Sequence, residues 1–433
     1  MKIRYRDFGV YLLVIVMTIA MLSSFGTSEK NGWVYFTFIL IGAISFWGIV
    51  NTKLNISFRR NMNIFSYLFF FLAPWQQYSV GVSLWKNNGL RLLYNDELYI
   101  KTNIIIIISL FFYNIFSLKF EERFFSIDEK KQYVIILGKQ SRIFVSMISF
   151  ASLFLFLFSR KLRGLHNLSS MGEQIVNIIM FFPVCCLFLL VMAYPGWKQL
   201  VKRYSFWIVV LVIMIIFYPL SGTLARYLLF GTYIAILCMW FSNSKYKSTY
   251  FFIIFIGICF AFTGTRHLTN ISNLTMILDF CHVDFDAHQI LMTMVAYTDK
   301  EGIVFCKNII SALAFLIPRT VWQGKMINSG GIAVRYYGSW FTNVSAPLVG
   351  ELYFALGWGG IILGAISLAY IFSKVDSWYN ESNLFKKGTY CIFAGMAIYI
   401  CRGSLLASMA YSLGLVLACY FISKIVQVKI MQQ

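Results

Sequence analysis

Charge is what this 433-residue chain has least of. Only 12 % of its residues are Asp, Glu, Lys or Arg, against about 25 % in an ordinary soluble domain. Apolar residues make up 59 %, so there is too little polar surface to coat a water-soluble globule. A soluble enzyme and a disordered chain are both excluded. The nine cysteines contain no CxxC pair and no zinc-ligand spacing, which excludes a secreted disulfide scaffold and a metal finger. Cys185, Cys186, Cys238, Cys259, Cys391, Cys401 and Cys419 fall in apolar runs and read as small core hydrophobes. Cys281 and Cys306 are the two thiols placed outside the membrane; neither spacing nor number requires them to pair. There is no internal repeat and no low-complexity tract. The unequal halves disfavour a transporter built from inverted repeats. Acids are scarcer than bases, 17 against 37, for a net charge of +20. In a membrane protein that excess reports basic loops on anionic lipid rather than a nucleic-acid partner.

What is present is long apolar runs. A span needs about 20 mostly apolar residues, and it must be helical, because open backbone finds no hydrogen-bond partner in lipid. The sequence predicts an all-α polytopic membrane protein of about 12 transmembrane helices, centred near Ile15, Ile41, Phe70, Ile107, Ser152, Pro183, Val212, Tyr233, Phe255, Ile361, Ala394 and Val416. Lys2, Arg4 and Arg6 precede the first, which lacks a cleavage site and reads as a retained anchor. With the N-terminus in the cytoplasm, cytoplasmic segments carry 22 Lys and Arg, against 9 in the short segments opposite. The positive-inside rule therefore favours an N-in, C-in topology. Residues 1–263 would hold nine helices, 264–345 one large periplasmic loop with short amphipathic helices such as Ile309 to Ile317, and 346–433 the last three helices.

Several arginines break the positive-inside pattern. Arg160, Lys161 and Arg163 flank a span on the outer side, and Arg226 sits in a very short outer connection. Arg266, Arg319 and Arg335 lie in the long loop, and Arg402 opens the last span. Guanidinium groups gathered at one membrane face suit a diphosphate, because each offers a planar fork of donors and stays charged. Among acids, Asp284-Phe285-Asp286-Ala287-His288 puts two carboxylates and an imidazole within five residues. On a helix Asp284 and His288 would share a face while Asp286 points elsewhere. No nucleotide-binding βαβ pattern accompanies it, so the DxD is not read as a metal–nucleotide site. Glu351 begins a span where the long loop re-enters the membrane, a depth at which a carboxylate needs a partner. Glu351, Asp284 or His288 is the expected general base. No grouping of residues suggests a metal, and no cofactor is expected.

These residues carry a resemblance. Pro318-Arg319, Trp322 and Lys325, then a glycine-containing linker, then Asn343-Val344-Ser345-Ala346-Pro347 and Gly350-Glu351-Leu352-Tyr353, are similar to the P-R-x-x-W-x-x-K, N-x-S-x-P and G-E-x-Y patterns of bacterial O-antigen polymerases, the Wzy-type oligosaccharide repeat-unit polymerases. Gly357-Trp358-Gly359-Gly360 resembles the family's glycine-rich helix start, and Arg402-Gly403-Ser404-Leu405-Leu406 its last-span motif. The match covers about residues 279 to 410. It implies a glycosyltransferase of the bacterial inner membrane, with its active face periplasmic, that joins repeat units carried on undecaprenyl diphosphate and releases undecaprenyl diphosphate. It implies partners in the same pathway, a flippase and a chain-length regulator. In that reading Arg226, Arg266, Arg319 and Arg402 hold the leaving diphosphate, with no metal needed. Lys325, Trp322 and Asn343 complete the substrate site, and Trp322, Tyr336, Tyr337 and Trp340 offer flat faces to sugars. The rival readings are a lipid-linked oligosaccharide flippase and the ligase that moves finished polymer onto lipid A.

Overall fold

The computed structural model describes residues 30–125, 133–164, 170–194, 196–217, 223–241, 280–426 and 429–432, with isolated positions between 14 and 19 and between 250 and 257. The chain is an α-helical, multi-pass protein of membrane type. Among the described residues, six helical stretches are long and apolar enough to cross a membrane: Gly32–Val50, Asp96–Phe125, Lys139–Ser159, Ile175–Ala193, Leu348–Tyr379 and Leu405–Ile425. Helices in chain order are α1 (Gly32–Val50), α2 (Phe58–Ser66), α3 (Ala73–Val80), α4 (Asp96–Phe125), α5 (Lys139–Gly164), α6 (Ser170–Met180), α7 (Phe182–Ala193), α8 (Tyr204–Ile216) and α9 (Thr223–Phe241). They continue as α10 (Ala287–Glu301), α11 (Lys307–Leu313), α12 (Ser329–Tyr336), α13 (Leu348–Asp376), α14 (Leu384–Arg402) and α15 (Leu405–Ile425). The expected centres Ile15 and Phe255 fall at the edge of, or outside, the described residues.

Many large apolar side chains face outward, Met147 at 61 % and Phe154 at 69 % exposure on α5 among them. A monomer in water does not tolerate such a belt; hydrocarbon does. Polar side chains mark the helix ends. Asn31 accepts from Trp33 N at 3.0 Å at the start of α1, and Asn383 from Phe385 N at 2.8 Å at the start of α14. Asp96 and Glu97 in the first turn of α4 and Arg123 in its last match the helix dipole.

One element departs from the all-helical expectation. Tyr133–Ile136 (β1) pairs antiparallel with Lys429–Gln432 (β2), Tyr133 opposite Gln432 and Ile136 opposite Lys429. Each strand alone is too short and apolar to signal a ribbon; only the distant partner defines it. The pairing brings the two segments together at one place on the bundle.

At the centre runs a rod with no solvent-facing side. Residues 56–78 are buried throughout, α2 passing through a π-helical turn, Tyr67–Leu72, into α3. Its N-terminus is held by Ser57, which accepts from Arg60 N at 3.0 Å, and by Asp376 of α13, which accepts from Phe58 N at 3.0 Å. Arg59, 1 % exposed, pairs with Glu121 of α4 at 2.9 Å. Arg59 and Arg60, each 1 % exposed, are thus folded into the bundle. Truncating one partner of a buried pair leaves the other charge unsolvated, at a cost of about 3–5 kcal/mol. Arg59→Ala is expected to lower the thermal midpoint of detergent-solubilised protein sharply; an unchanged midpoint would show that the pair contributes nothing.

The expected amphipathic helices differ among themselves. α10 does not lie against the bilayer. Residues 287–295 are all buried: Ile290, Leu291, Met292, Met294 and Val295 pack in the core, while Gln289 accepts the Leu84 amide, Thr293 bonds the Tyr94 hydroxyl and His288 bonds Asn103. α11 is amphipathic in the inverted sense, with Asn308 and Ser311 buried while Ile310 (53 %) and Leu313 (62 %) face out. α13 is two helices. Its backbone leaves helical geometry at Leu356 (φ −145°, ψ 17°) and Gly357 (φ 60°, ψ −138°), a left-handed position that favours glycine. The first of the two packs back against the second, so that a Cβ at Gly360 would lie 2.1 Å from the Leu352 carbonyl oxygen.

Candidate functional site: a cationic cavity with an apolar floor

The Ala287 start of α10 decides the geometry of the acidic cluster. Val283–Phe285 is a 3-10 turn and α10 begins one residue after Asp286. Asp284 therefore precedes the helix that carries His288, and the shared face expected of the pair does not form. Asp286 is the carboxylate that matters. Fully buried, it takes Arg402 Nη2 at 2.9 Å on Oδ1 and Trp85 Nε1 at 3.1 Å on Oδ2. Arg402 also donates Nε to the Asp284 carbonyl at 2.9 Å and Nη2 to the Val283 carbonyl at 3.1 Å. Burial raises the Asp286 carboxyl, while Arg402, Ser345 and Trp85 pull it back. Arg402 ends α14 and does not open the last span. Gly403 and Ser404 break the apolar run there, and Ser404 is the N-cap residue of α15.

This pair sits on the wall of a cavity of about 830 Å³. Arg319, Lys325, Asn343 and Arg402 line it, with Asp286 as its carboxylate and Asn328, Ser345 and Ser404 as further polar groups. Its other end is mainly apolar: Ile178 and Phe181 lie against Gly414, with Leu406, Ala407 and Ala410 along the first three turns of α15, and Asn177 and Tyr411 are the polar residues among them. The shape is a cationic mouth over a greasy trough sunk among helices. With three cations and one carboxylate the mouth attracts an anion, and the low dielectric around it strengthens that attraction.

The cations are held in different ways. Arg319 is exposed, and its guanidinium is aimed by two carbonyls, Nη1 on Lys325 O at 2.7 Å and Nη2 on Met326 O at 2.8 Å. Lys325, expected to bind substrate, instead gives its three ammonium protons to the carbonyls of Ala314, Phe315 and Ile317 at 2.8, 3.0 and 2.8 Å. It closes the turn after α11, a positioning role, and burial pushes its ammonium down, with Arg319 adding repulsion. Asn343 is exposed at the mouth. Trp322 is half-buried and outside the lining. The Arg226 side chain and all of Arg266 lie outside the described residues.

Glu351 is fully buried and stands behind the cavity. Its Oε1 accepts the Leu405 amide at 3.0 Å, and its Oε2 accepts Ser329 Oγ at 2.5 Å and Asn308 Nδ2 at 2.7 Å. One carboxylate thus ties α11, α12, α13 and the N-terminus of α15 together, where the helix dipole favours a negative charge. Close packing supports the same joint: a Cβ at Gly330 would lie 2.0 Å from the Ser345 carbonyl oxygen. With both oxygens engaged, Glu351 is built to position its neighbours.

His288 is also away from the cavity. Buried on α10, it bonds Asn103 Oδ1 at 2.7 Å and stacks on Tyr99 at 5.6 Å between ring centroids. Burial pushes its imidazole down to about 3. The folded chain therefore keeps it neutral while the unfolded chain protonates near pH 6.5. Stability is expected to fall as pH drops from about 6.5 towards 3, by at most about 1.4 kcal/mol per pH unit. Unfolding curves of wild type and His288→Gln compared from pH 7 to 4 check this; parallel losses would contradict it.

Sequence reasoning passes over Asp286 as the partner of Arg402, and it misses Trp85 and Asn88 between α3 and α4. The available signal is the Asp immediately before an apolar helical run, a helix-start position. Cys281 and Cys306 form no disulfide. Among the described residues no three His, Cys, Asp or Glu side chains gather as metal ligands would. No protein-family model, curated protein or solved structure matches the chain.

Proposed function

We propose that the protein is a membrane glycosyltransferase that polymerises repeat units carried on undecaprenyl diphosphate, at the periplasmic face of a bacterial inner membrane. The observation that carries this reading is the cavity itself, a cationic mouth continuous with an apolar trough. A diphosphate joined to a prenyl chain has that division of polarity. The reading places the N- and C-termini in the cytoplasm, gives the chain about 12 spans, and sets residues 264–345 outside; it puts β1 and β2 on the same side of the membrane, as their pairing requires.

In the reaction, the C1–O bond between the donor's reducing-end sugar and the diphosphate breaks, and undecaprenyl diphosphate leaves with the bonding electrons. A hydroxyl of the acceptor sugar forms the new C1–O bond and gives up its proton. Arg319 and the fixed Arg402 guanidinium face the charge that grows on the leaving phosphate, the task of a preorganised electrostatic site. Asp286 is the carboxylate on the cavity wall; with one oxygen on Arg402 and the other on Trp85 it fixes the guanidinium in place, and the acceptor's proton passes to solvent at the mouth. Trp340, 72 % exposed beside the mouth on Phe341, offers a face for a sugar ring.

Deleting the gene in a strain that makes a laddered surface polysaccharide tests this. Loss of a polymerase leaves lipid A core carrying a single repeat unit. Bare core alone would favour a flippase or a ligase and overturn the proposal.

A further inference from the structure

The loop between α3 and α4 has two working faces. Trp85 and Asn88 line the cavity that holds Arg319 and Arg402, whereas Lys86, Gly89 and Leu90 line a second one of about 740 Å³ on the other side. This loop is fastened, not draped. Arg91 N donates to the Tyr337 carbonyl at 3.0 Å, Trp340 N to the Asn88 carbonyl at 3.2 Å, and a Cβ at Gly89 (φ 88°) would lie 2.9 Å from the Gly338 carbonyl oxygen. Trp85 is pinned further by Asp286 and by Phe341, stacked at 5.3 Å.

The second cavity repeats the chemistry of the first. Lys30, Lys86 and Arg91 line it with a single carboxylate, Asp96, which accepts the Tyr78 hydroxyl at 2.8 Å. Lys30 lies over the Tyr78 ring at 4.8 Å and bonds the Tyr78 carbonyl. Asn31 and Asp96 also border a groove of about 510 Å³ that runs down between α4 and α13. Ile100, Ile104 and Trp358 give that groove its apolar wall, Glu97 and Lys101 line it as well, with Lys101 paired to Asp299 at 2.6 Å, and Trp358 is 42 % exposed towards what the fold leaves to lipid. Again a cationic mouth leads to a groove with an apolar wall.

We propose that this second cavity and its groove hold a second lipid-borne phosphate, the diphosphate of the acceptor, with the Trp85–Leu90 segment as the wall between the two lipids. The inference rests on the glycosyltransferase reading and adds where the second substrate sits. Two anions that repel one another are thereby kept apart by a rigid partition, each with its own set of cations, while the sugars they carry meet above it.

Native mass spectrometry of the full-length protein in detergent, titrated with undecaprenyl diphosphate, tests it. Two bound copies per chain are expected. Lys86→Glu with Arg91→Glu, both exposed side chains, is expected to weaken one copy by about a hundredfold, a factor of ten for each reversed cation. Ile104→Trp, which fills the groove, is expected to remove that same copy, and Arg319→Ala the other. One copy in wild type, sensitive to Arg319→Ala and indifferent to Lys86 and Arg91, would overturn the second site and leave the first standing. No copy at all would overturn both. Displacement of the second copy by an equal concentration of phosphatidylglycerol would also overturn it, assigning the cavity to bulk lipid headgroups.

Discussion

Membranes from cells expressing Glu351→Ala are expected to contain little or no folded protein. The substitution strips acceptors from three buried donors at once, the Leu405 amide, the Ser329 hydroxyl and the Asn308 amide, and leaves a void where four helices meet. Each donor left buried without a partner costs about 1–3 kcal/mol. The sum reaches a substantial part of the roughly 5–15 kcal/mol that holds an ordinary domain together. Glu351→Gln keeps the shape and most acceptor positions but turns one donor–acceptor contact into a donor–donor clash, so it is expected to fall between. Immunoblots of membrane fractions, read beside the polysaccharide ladder, separate the two outcomes. Normal protein levels with no ladder would restore Glu351 to a chemical role and contradict the positioning role assigned to it.

Arg319→Ala is expected to do the reverse, leaving protein levels intact while removing the polymer. The side chain is exposed and bonds only carbonyls of its own loop, so its loss exposes little that was buried. Removing one preorganised donor from a site of developing negative charge slows a reaction by about 10²–10³-fold. Arg319→Lys is expected to recover only part of that, because an ammonium keeps the charge and loses the planar fork. The readout is the rate of chain elongation by purified protein and the ladder in cells. Wild-type ladders from Arg319→Ala would remove this residue from the site.

The long apolar runs are legible in the sequence because burial in lipid demands them, and helices occupy the expected centres from Ile41 to Tyr233 and from Ile361 to Val416. The rod around Phe70 is harder to read, since its polar residues, Arg59, Arg60, Asn61 and Asn63, look like an exposed end until their partners on α4 and α13 are known. The β1–β2 ribbon joins segments nearly three hundred positions apart, beyond what local pattern encodes. At the site, the arginines and the depth of Glu351 can be picked out residue by residue. Their partners cannot: Ser329 and Leu405 reach Glu351 from opposite directions along the chain, and Asp286 finds Arg402 only because α10 starts at Ala287. Spacing of i, i+4 puts Asp284 and His288 on one face only if one helix holds both, and the helix that carries His288 starts three residues after Asp284.

At the centre of the proposed reaction, the cationic cavity holds a prenyl-linked diphosphate while the sugar attached to it is transferred. Purified full-length protein, supplied with a lipid-linked repeat unit bearing a radiolabelled diphosphate, tests this most directly. Longer lipid-linked glycans are expected, together with one unglycosylated prenyl diphosphate released for each unit added. Binding of the lipid with neither elongation nor release of the label would contradict it.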